Sequence, residues 1–156
     1  MVVGYARNGT RLKTMRRRPL MVLLCVFAVI PAAMVARTRA RSIWDGVYTD
    51  SQAKRGAAEY EHTCTPCHGA GLGGTKDAPE LVGDVFLKEW YGKTAHDLFK
   101  QIQNKMPDDQ PGILTPQQSV DLMAHIFAAN HFPAGDQELM PTRELLSDIR
   151  MVKAPQ

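Results

Sequence analysis

The stretch Cys64-Thr65-Pro66-Cys67-His68 constrains this 156-residue chain more than any other feature. Two thiols three positions apart, followed directly by a histidine, form the C-x-x-C-H pattern of covalent haem attachment. Each thiol can bond one vinyl group of the porphyrin, and the histidine then lies beneath the iron as an axial ligand. The motif therefore predicts one covalent haem c, held by Cys64, Cys67 and His68.

Two other kinds of site use closely spaced cysteines. A thioredoxin-like redox pair is expected in a βαβ pattern, and no such pattern flanks Cys64 and Cys67. A zinc site would need a second pair of ligands at similar spacing, and no cysteine follows Cys67. We therefore expect haem attachment rather than either alternative.

Residues 1–40 have the organisation of an export signal. A basic region over residues 11–18 precedes the apolar run Leu20–Ile30, and Ala36 or Ala40 offers a cleavage position. The alternative is an uncleaved anchor in the inner membrane, because the apolar stretch is near the lower limit of what spans a bilayer. We expect a cleaved signal peptide, export by the Sec route and a periplasmic location.

Loss of this segment changes the sign of the net charge. The whole chain is formally +3 at pH 7. From Arg37 onward there are 13 basic and 16 acidic residues, so the exported part is acidic. It lacks the basic stripe that nucleic-acid binding requires, and we expect no nucleic-acid partner. A membrane is expected as a partner only if the N-terminal segment stays uncleaved.

The remainder is long enough for one small domain, and its pattern predicts an all-α fold. Apolar residues recur at helical spacing over Asp50–His62, Thr94–Asn104 and Thr115–Asn130. Glycines in 69–83 predict a loop that lies close against the porphyrin. We expect a haem domain over residues 41–135.

Residues 136–156 are mostly polar and predict a C-terminal tail with little to hold it. One short helix is expected within this tail, over Thr142–Met151.

A proximal histidine leaves the opposite axial position of the iron to be filled. A thioether there favours electron transfer. Met106 and Met140 are the candidates, each followed by proline; Met106 lies at the break after the middle helix and Met140 lies in the tail. We expect Met106 to be the ligand. His96 and His125 are the bis-histidine alternatives.

The stretch Ile43–Gly135 resembles the class I cytochrome c family. It is most similar to small periplasmic monohaem cytochromes and to haem domains associated with PQQ-dependent dehydrogenases. These carry a W-D-G-V-Y-T segment and an A-x-x-G segment before the haem, here Trp44–Thr49 and Ala53–Gly56. The resemblance implies the class I cytochrome c fold, with three main helices around one covalent haem.

The resemblance also implies roles for residues outside the motif. The carbonyl of Pro79 should accept a hydrogen bond from Nδ1–H of His68, and Trp90 should hydrogen-bond a haem propionate. The expected cofactor-binding set is Cys64, Cys67, His68, Met106, Pro79 and Trp90, with His68 and Met106 as the iron ligands.

Packing of the first and last main helices is a further implication of the resemblance. Gly56 and Tyr60 should cross the last helix. Many relatives have an aromatic residue at the position of His125, so this histidine is left without an assigned role.

The expected function is one-electron transfer, with no catalytic residues. Docking to the redox partner should be weak and transient. The resemblance implies a periplasmic dehydrogenase, such as a PQQ-dependent one, or a terminal oxidase or its donor. The alternative is a haem enzyme or gas-binding sensor whose distal position is open.

Overall fold

The computed structural model describes residues 1, 4 and 40–155. The predicted export signal therefore lies outside the described residues, except for its isolated members Met1, Gly4 and Ala40. Residues 40–155 belong to one compact unit. Within them, no helix has both the length and the apolar character needed to cross a membrane.

Helices are the main regular elements of the described chain, as the sequence predicts. They are α1 (Asp50–Thr63), α2 (Thr65–His68), α3 (Gly83–Trp90), α4 (Ala95–Lys105), α5 (Pro116–Ala129) and α6 (Arg143–Ser147). Two short strands, β1 (Arg41–Ser42) and β2 (Ile149–Arg150), pair in parallel. The three predicted helices correspond to α1, α4 and α5.

Threonine side chains define where the three long helices begin. The hydroxyl oxygen of Thr49 accepts a hydrogen bond from the backbone N–H of Gln52 in the first turn of α1. Thr94 and Thr115 form capping boxes with Asp97 and Gln118. The hydrogen bonds from Thr94 lower the pKa of Asp97 to about 2. These short-range signals explain why the predicted starts of the helices agree closely with the structure.

Helices α1 and α5 cross at Gly56, and the prediction of this crossing is confirmed. A Cβ at Gly56 would overlap the carbonyl oxygen of Asp121 on α5, so only glycine allows this close approach. One turn further along α1, the ring of Tyr60 lies 5.2 Å from that of His125. Arg55 adds an ion pair to Asp121 at 2.9 Å.

Helix α3 is not among the predicted elements. Its buried side is short: Phe86 is 1% exposed, and its ring lies 6.2 Å from the half-buried ring of Trp90. Two aromatic residues one helical turn apart were the available signal. They follow directly on the glycine-rich loop, whose composition masks the signal of so short a helix.

The C-terminal segment corrects the expectation of a loosely held tail. Leu146, Ile149 and Met151 are at most 1% exposed and belong to the core. The expected helix Thr142–Met151 is shortened to α6, because the chain then continues as β2 and pairs with β1. Buried apolar residues, together with the pairing of β2 with β1, hold this segment against the rest of the domain.

Two side chains from the first third of the domain fasten this segment. Gln52 on α1 makes both of its amide hydrogen bonds to the backbone of Leu139, at 2.9 and 2.7 Å. The indole N–H of Trp44 donates to the carbonyl of Val152 at 2.9 Å. The segment is therefore part of the domain rather than an appendage.

Candidate haem site

The cysteine pair lies where α1 gives way to the single turn α2. Backbone N–H groups of Cys67 and His68 donate to the carbonyl of Cys64, which folds the motif into one helical turn. Both cysteines are free thiols; Cys64 is half-buried and Cys67 is exposed. Two thiols separated by one turn are the arrangement that covalent attachment to a porphyrin requires.

His68 is held in one orientation. It is 8% exposed, and its Nδ1 lies 2.9 Å from the carbonyl oxygen of Pro79. Because a carbonyl oxygen can only accept, Nδ1 carries a hydrogen, which leaves Nε2 as the nitrogen available to bind a metal. Among the described residues no hydrogen bond reaches Nε2. The imidazole therefore has the tautomer of a metal ligand, and the contact expected between Pro79 and His68 is present.

Further hydrogen bonds fasten the loop that follows the motif. The N–H of Gly74 donates to the carbonyl of His68 at 2.9 Å, and the hydroxyl of Thr75 donates to the carbonyl of Cys67 at 2.6 Å. The hydroxyl of Tyr60 donates to the carbonyl of Gly69 at 2.9 Å. Sequence reasoning did not identify the roles of Thr75 and of the Tyr60 hydroxyl, because neither hydroxyl belongs to a recognisable motif.

Burial controls the ionisation of the groups around the motif. It raises the pKa of the Cys64 thiol to about 11, with smaller contributions from Glu59 and Cys67. Burial likewise raises the pKa of Tyr60 to about 12. Both groups are therefore neutral at physiological pH, which suits a site that will hold a flat apolar ring.

Met106 occupies the C-terminal cap of α4. Its N–H donates to the carbonyl of Ile102 at 3.2 Å, and its side chain is half-buried. The predicted break after the middle helix is confirmed, since α4 ends at Lys105. Met140, by contrast, is 49% exposed in the C-terminal segment.

The structure brings Cys64, Cys67, His68 and Pro79 together, but it does not link Trp90 to them. The half-buried Trp90 ends α3, and the ammonium of Lys93 lies 4.7 Å from its ring centroid. Its expected contact with a propionate stays a prediction.

The two alternative histidine ligands lie on different helices. His96, in the first turn of α4, stacks on Phe99 and has a buried Nδ1 with no hydrogen-bond partner among the described residues. His125 lies in the crossing of α1 and α5 beside Tyr60, and burial lowers its pKa. Within residues 40–155, no three His, Cys, Asp or Glu side chains come together as ligands of a metal ion would.

The region around this site is similar to a known protein family. Residues 51–126 match the protein family described as cytochrome c oxidase, cbb3-type, subunit III. The chain contains a cytochrome c family domain. This domain covers α1 and the haem motif and continues through most of α5. The family implies a covalently bound haem c, and the two free thiols and the oriented imidazole of His68 fit that group.

Two curated relatives resemble part of the cytochrome c domain. Both are named cbb3-type cytochrome c oxidase subunit CcoP. The one from Azospirillum sp. (strain B510) is 39% identical over 54 residues, and the one from Azospirillum brasilense is 43% identical over 54 residues. Each alignment covers 35% of this chain and 17% of the relative. No solved structure matches the chain. A cytochrome c domain of this type indicates electron transfer.

Proposed function

We propose that this chain is a periplasmic one-electron carrier whose single haem c is ligated by His68 and Met106. The observation that carries the proposal is the arrangement of Cys64, Cys67 and His68, two free thiols beside an imidazole held by Pro79. Haem bound there supplies a one-electron couple between ferric and ferrous iron. We also propose the class I cytochrome c fold, in which α1, α4 and α5 are the three main helices.

The residues on the His68 side act by positioning. The carbonyl of Pro79 holds the imidazole in one tautomer and raises its basicity as a ligand. Because the loop is also fastened at Gly69 and Gly74, the ring needs little reorganisation when the iron changes charge. Small reorganisation favours a carrier over a site that must open to bind substrate.

Met106 is the best candidate for the second ligand. Its position at the end of α4 leaves its thioether half-buried, and no helical hydrogen bond beyond that residue restrains the chain. Met140 follows Leu139, which Gln52 anchors to α1, and its own side chain is exposed. Of the alternative histidines, His125 already fills the α1–α5 crossing.

The proposed redox partners and the proposed location of the protein rest on different observations. Similarity to subunits of a cbb3-type oxidase supports a terminal oxidase as the electron acceptor. A periplasmic dehydrogenase as donor, PQQ-dependent or not, is proposed from the resemblance described above. Export, and the division of the chain into residues 1–40 and an exported haem domain, are proposed from the sequence alone.

Spectroscopy of the full-length chain, produced with a haem-maturation system, tests the proposal. The ferric protein should show the near-infrared band of methionine-ligated haem and undergo reversible one-electron reduction. The ferrous protein should not bind carbon monoxide, because both axial positions are filled. Carbon monoxide binding without the methionine band would instead indicate the gas-binding or enzymatic alternative.

A further inference from the structure

The two proposed iron ligands lie at the ends of different helices. His68 is the last residue of α2, which follows directly on α1, and Met106 caps the end of α4. Helix α1 packs mainly on α5, whereas α4 packs on α5, on α6 and on β2. The position of Met106 relative to His68 therefore depends on the elements that connect α4 with α1.

One such connection is made by residues 138–152, which we call the strap. Its first end binds side chains of α1. The guanidinium of Arg55 donates to both carboxylate oxygens of Glu138, at 2.8 and 2.9 Å. The amide of Gln52, which is fully buried, bonds both the N–H and the carbonyl of Leu139. The start of the strap is therefore fixed to the helix that leads into the haem motif.

The other end of the strap lies between β1 and the residues that precede α4. On one edge of β2, the carbonyl of Arg150 accepts a hydrogen bond from the N–H of Ile43 at 2.9 Å. On the opposite edge, the N–H of Met151 donates to the carbonyl of Lys93 at 3.0 Å, and its carbonyl accepts from the N–H of Gly92 at 2.8 Å. The strap thus joins the start of the domain to the entry of α4.

The first residues of α4 are held directly by the strap. Thr94, the N-cap of α4, forms an antiparallel bridge with Arg150. Ala95 and Leu146 are both 0% exposed and belong to one core, and α6 packs on α4. The eleven residues of α4 span about 16 Å. Because a helix of this length moves as a rigid rod, a tilt at its start displaces Met106 at its end.

We infer that the strap positions Met106 for ligation by fixing where α4 begins relative to α1. This inference rests on the proposed function, because it takes Met106 as the second iron ligand. The strap lies beyond residues 51–126, so the family match does not imply this role. Loosening either end of the strap should let α4 shift and should weaken the bond from the thioether to the iron, although neither ligand is changed.

One variant is designed for each end of the strap. Gln52→Met replaces the amide by an apolar side chain of similar length and removes both hydrogen bonds to Leu139. Met151→Ala removes a side chain that is 0% exposed at the edge facing α4. The matched control is Tyr48→Phe, which also removes a buried hydrogen bond made from the start of the domain, in this case to the carbonyl of Phe132, outside the strap.

Competition by imidazole measures the strength of the thioether bond in the haem-loaded full-length protein. The imidazole concentration that removes half of the near-infrared methionine band should fall about tenfold in both strap variants and less than about twofold in the control. Hydrogen exchange of residues 95–106, followed by mass spectrometry, should become faster in the strap variants only. Urea unfolding of each variant gives the loss of global stability with which these changes are compared.

The outcomes distinguish the strap from the electron carrier. Equal imidazole shifts in the strap variants and in the control, at comparable losses of unfolding free energy, would overturn the role of the strap and leave the carrier intact. An unchanged imidazole concentration in Gln52→Met would do the same, and this variant decides alone if Met151→Ala does not fold. A wild-type protein without the methionine band would overturn ligation by Met106, and the role of the strap with it.

Discussion

The loop that holds His68 and the segment around Met106, the proposed second ligand, are built differently. On the His68 side, side-chain hydrogen bonds from Tyr60 and Thr75 and the contact with Pro79 fix the loop from several directions. On the Met106 side, residues 108–113 are exposed. Within 107–113 the N–H of Gln110 donates to the carbonyl of Pro107, and the N–H of Ile113 donates to the carbonyl of Gln110.

This difference indicates that the two segments depend on the haem to different degrees for their order. The loop that holds His68 is shaped before any ligand bond forms, because its hydrogen bonds are made within the protein. The Met106 turn has few such contacts, so the iron–sulfur bond itself would supply much of its order. We therefore expect changes on the His68 side to alter stability, and changes on the Met106 side to alter ligation and potential.

The largest effect is expected when the covalent attachment of haem is removed. The double variant Cys64→Ala, Cys67→Ala should lose all covalent haem, because residues 40–155 contain no other thiol. Haem staining of a denaturing gel measures this. The matched control Cys25→Ala, which changes the third cysteine of the chain, should keep wild-type staining in the exported product. Haem that extracts from the wild-type protein into acidified butanone would contradict covalent attachment.

The next largest effect is expected on axial ligation, and it distinguishes Met106 from Met140 as the ligand. Met106→Ala should lose the near-infrared band, bind carbon monoxide and lower the reduction potential by on the order of a few hundred millivolts, because a neutral thioether favours ferrous iron. Met140→Ala should change none of these, since its side chain is exposed in the C-terminal segment. If Met140→Ala alone produced the open site, the ligand assignment would be wrong while electron transfer would stand.

A smaller effect tests the bracing of the His68 side. Tyr60→Phe leaves the carbonyl of Gly69 without its donor and should reduce the free energy of unfolding by about 1–2 kcal/mol. Urea unfolding of the haem-loaded protein measures this. The control Tyr91→Phe removes a hydroxyl that makes no hydrogen bond within residues 40–155 and should change stability little. Equal losses in both variants would show that the Tyr60 hydroxyl does not brace the loop.

The smallest effect is a dependence of stability on pH, which arises from His125 at the crossing of α1 and α5. Burial lowers the pKa of His125 in the folded protein, so the unfolded chain binds the proton more readily. Stability should therefore decrease as the pH falls below the ordinary histidine value of about 6.5. His125→Phe keeps a ring against Tyr60 without the proton, and its unfolding free energy should decrease less between pH 7 and pH 5. Identical pH profiles would exclude His125 as the source.

Local signals account for what could be predicted. The motif from Cys64 to His68 has a spacing that chemistry requires, and the threonine caps fix where the long helices begin. Gly56 and Tyr60 share a face of α1, and the break at Met106 follows from the prolines and glycine beyond it. Each of these signals lies within a few residues of the structural feature that it predicts.

The sequence by itself thus determined the haem motif, the three long helices and the break that presents Met106. Only the tertiary structure decided how the C-terminal segment is buried and how the His68 loop is braced. Gln52 meets Leu139 across 87 positions, and Trp44 meets Val152 across 108. Such pairs carry no local pattern, because an amide or an indole N–H can bond any carbonyl that the fold brings within reach.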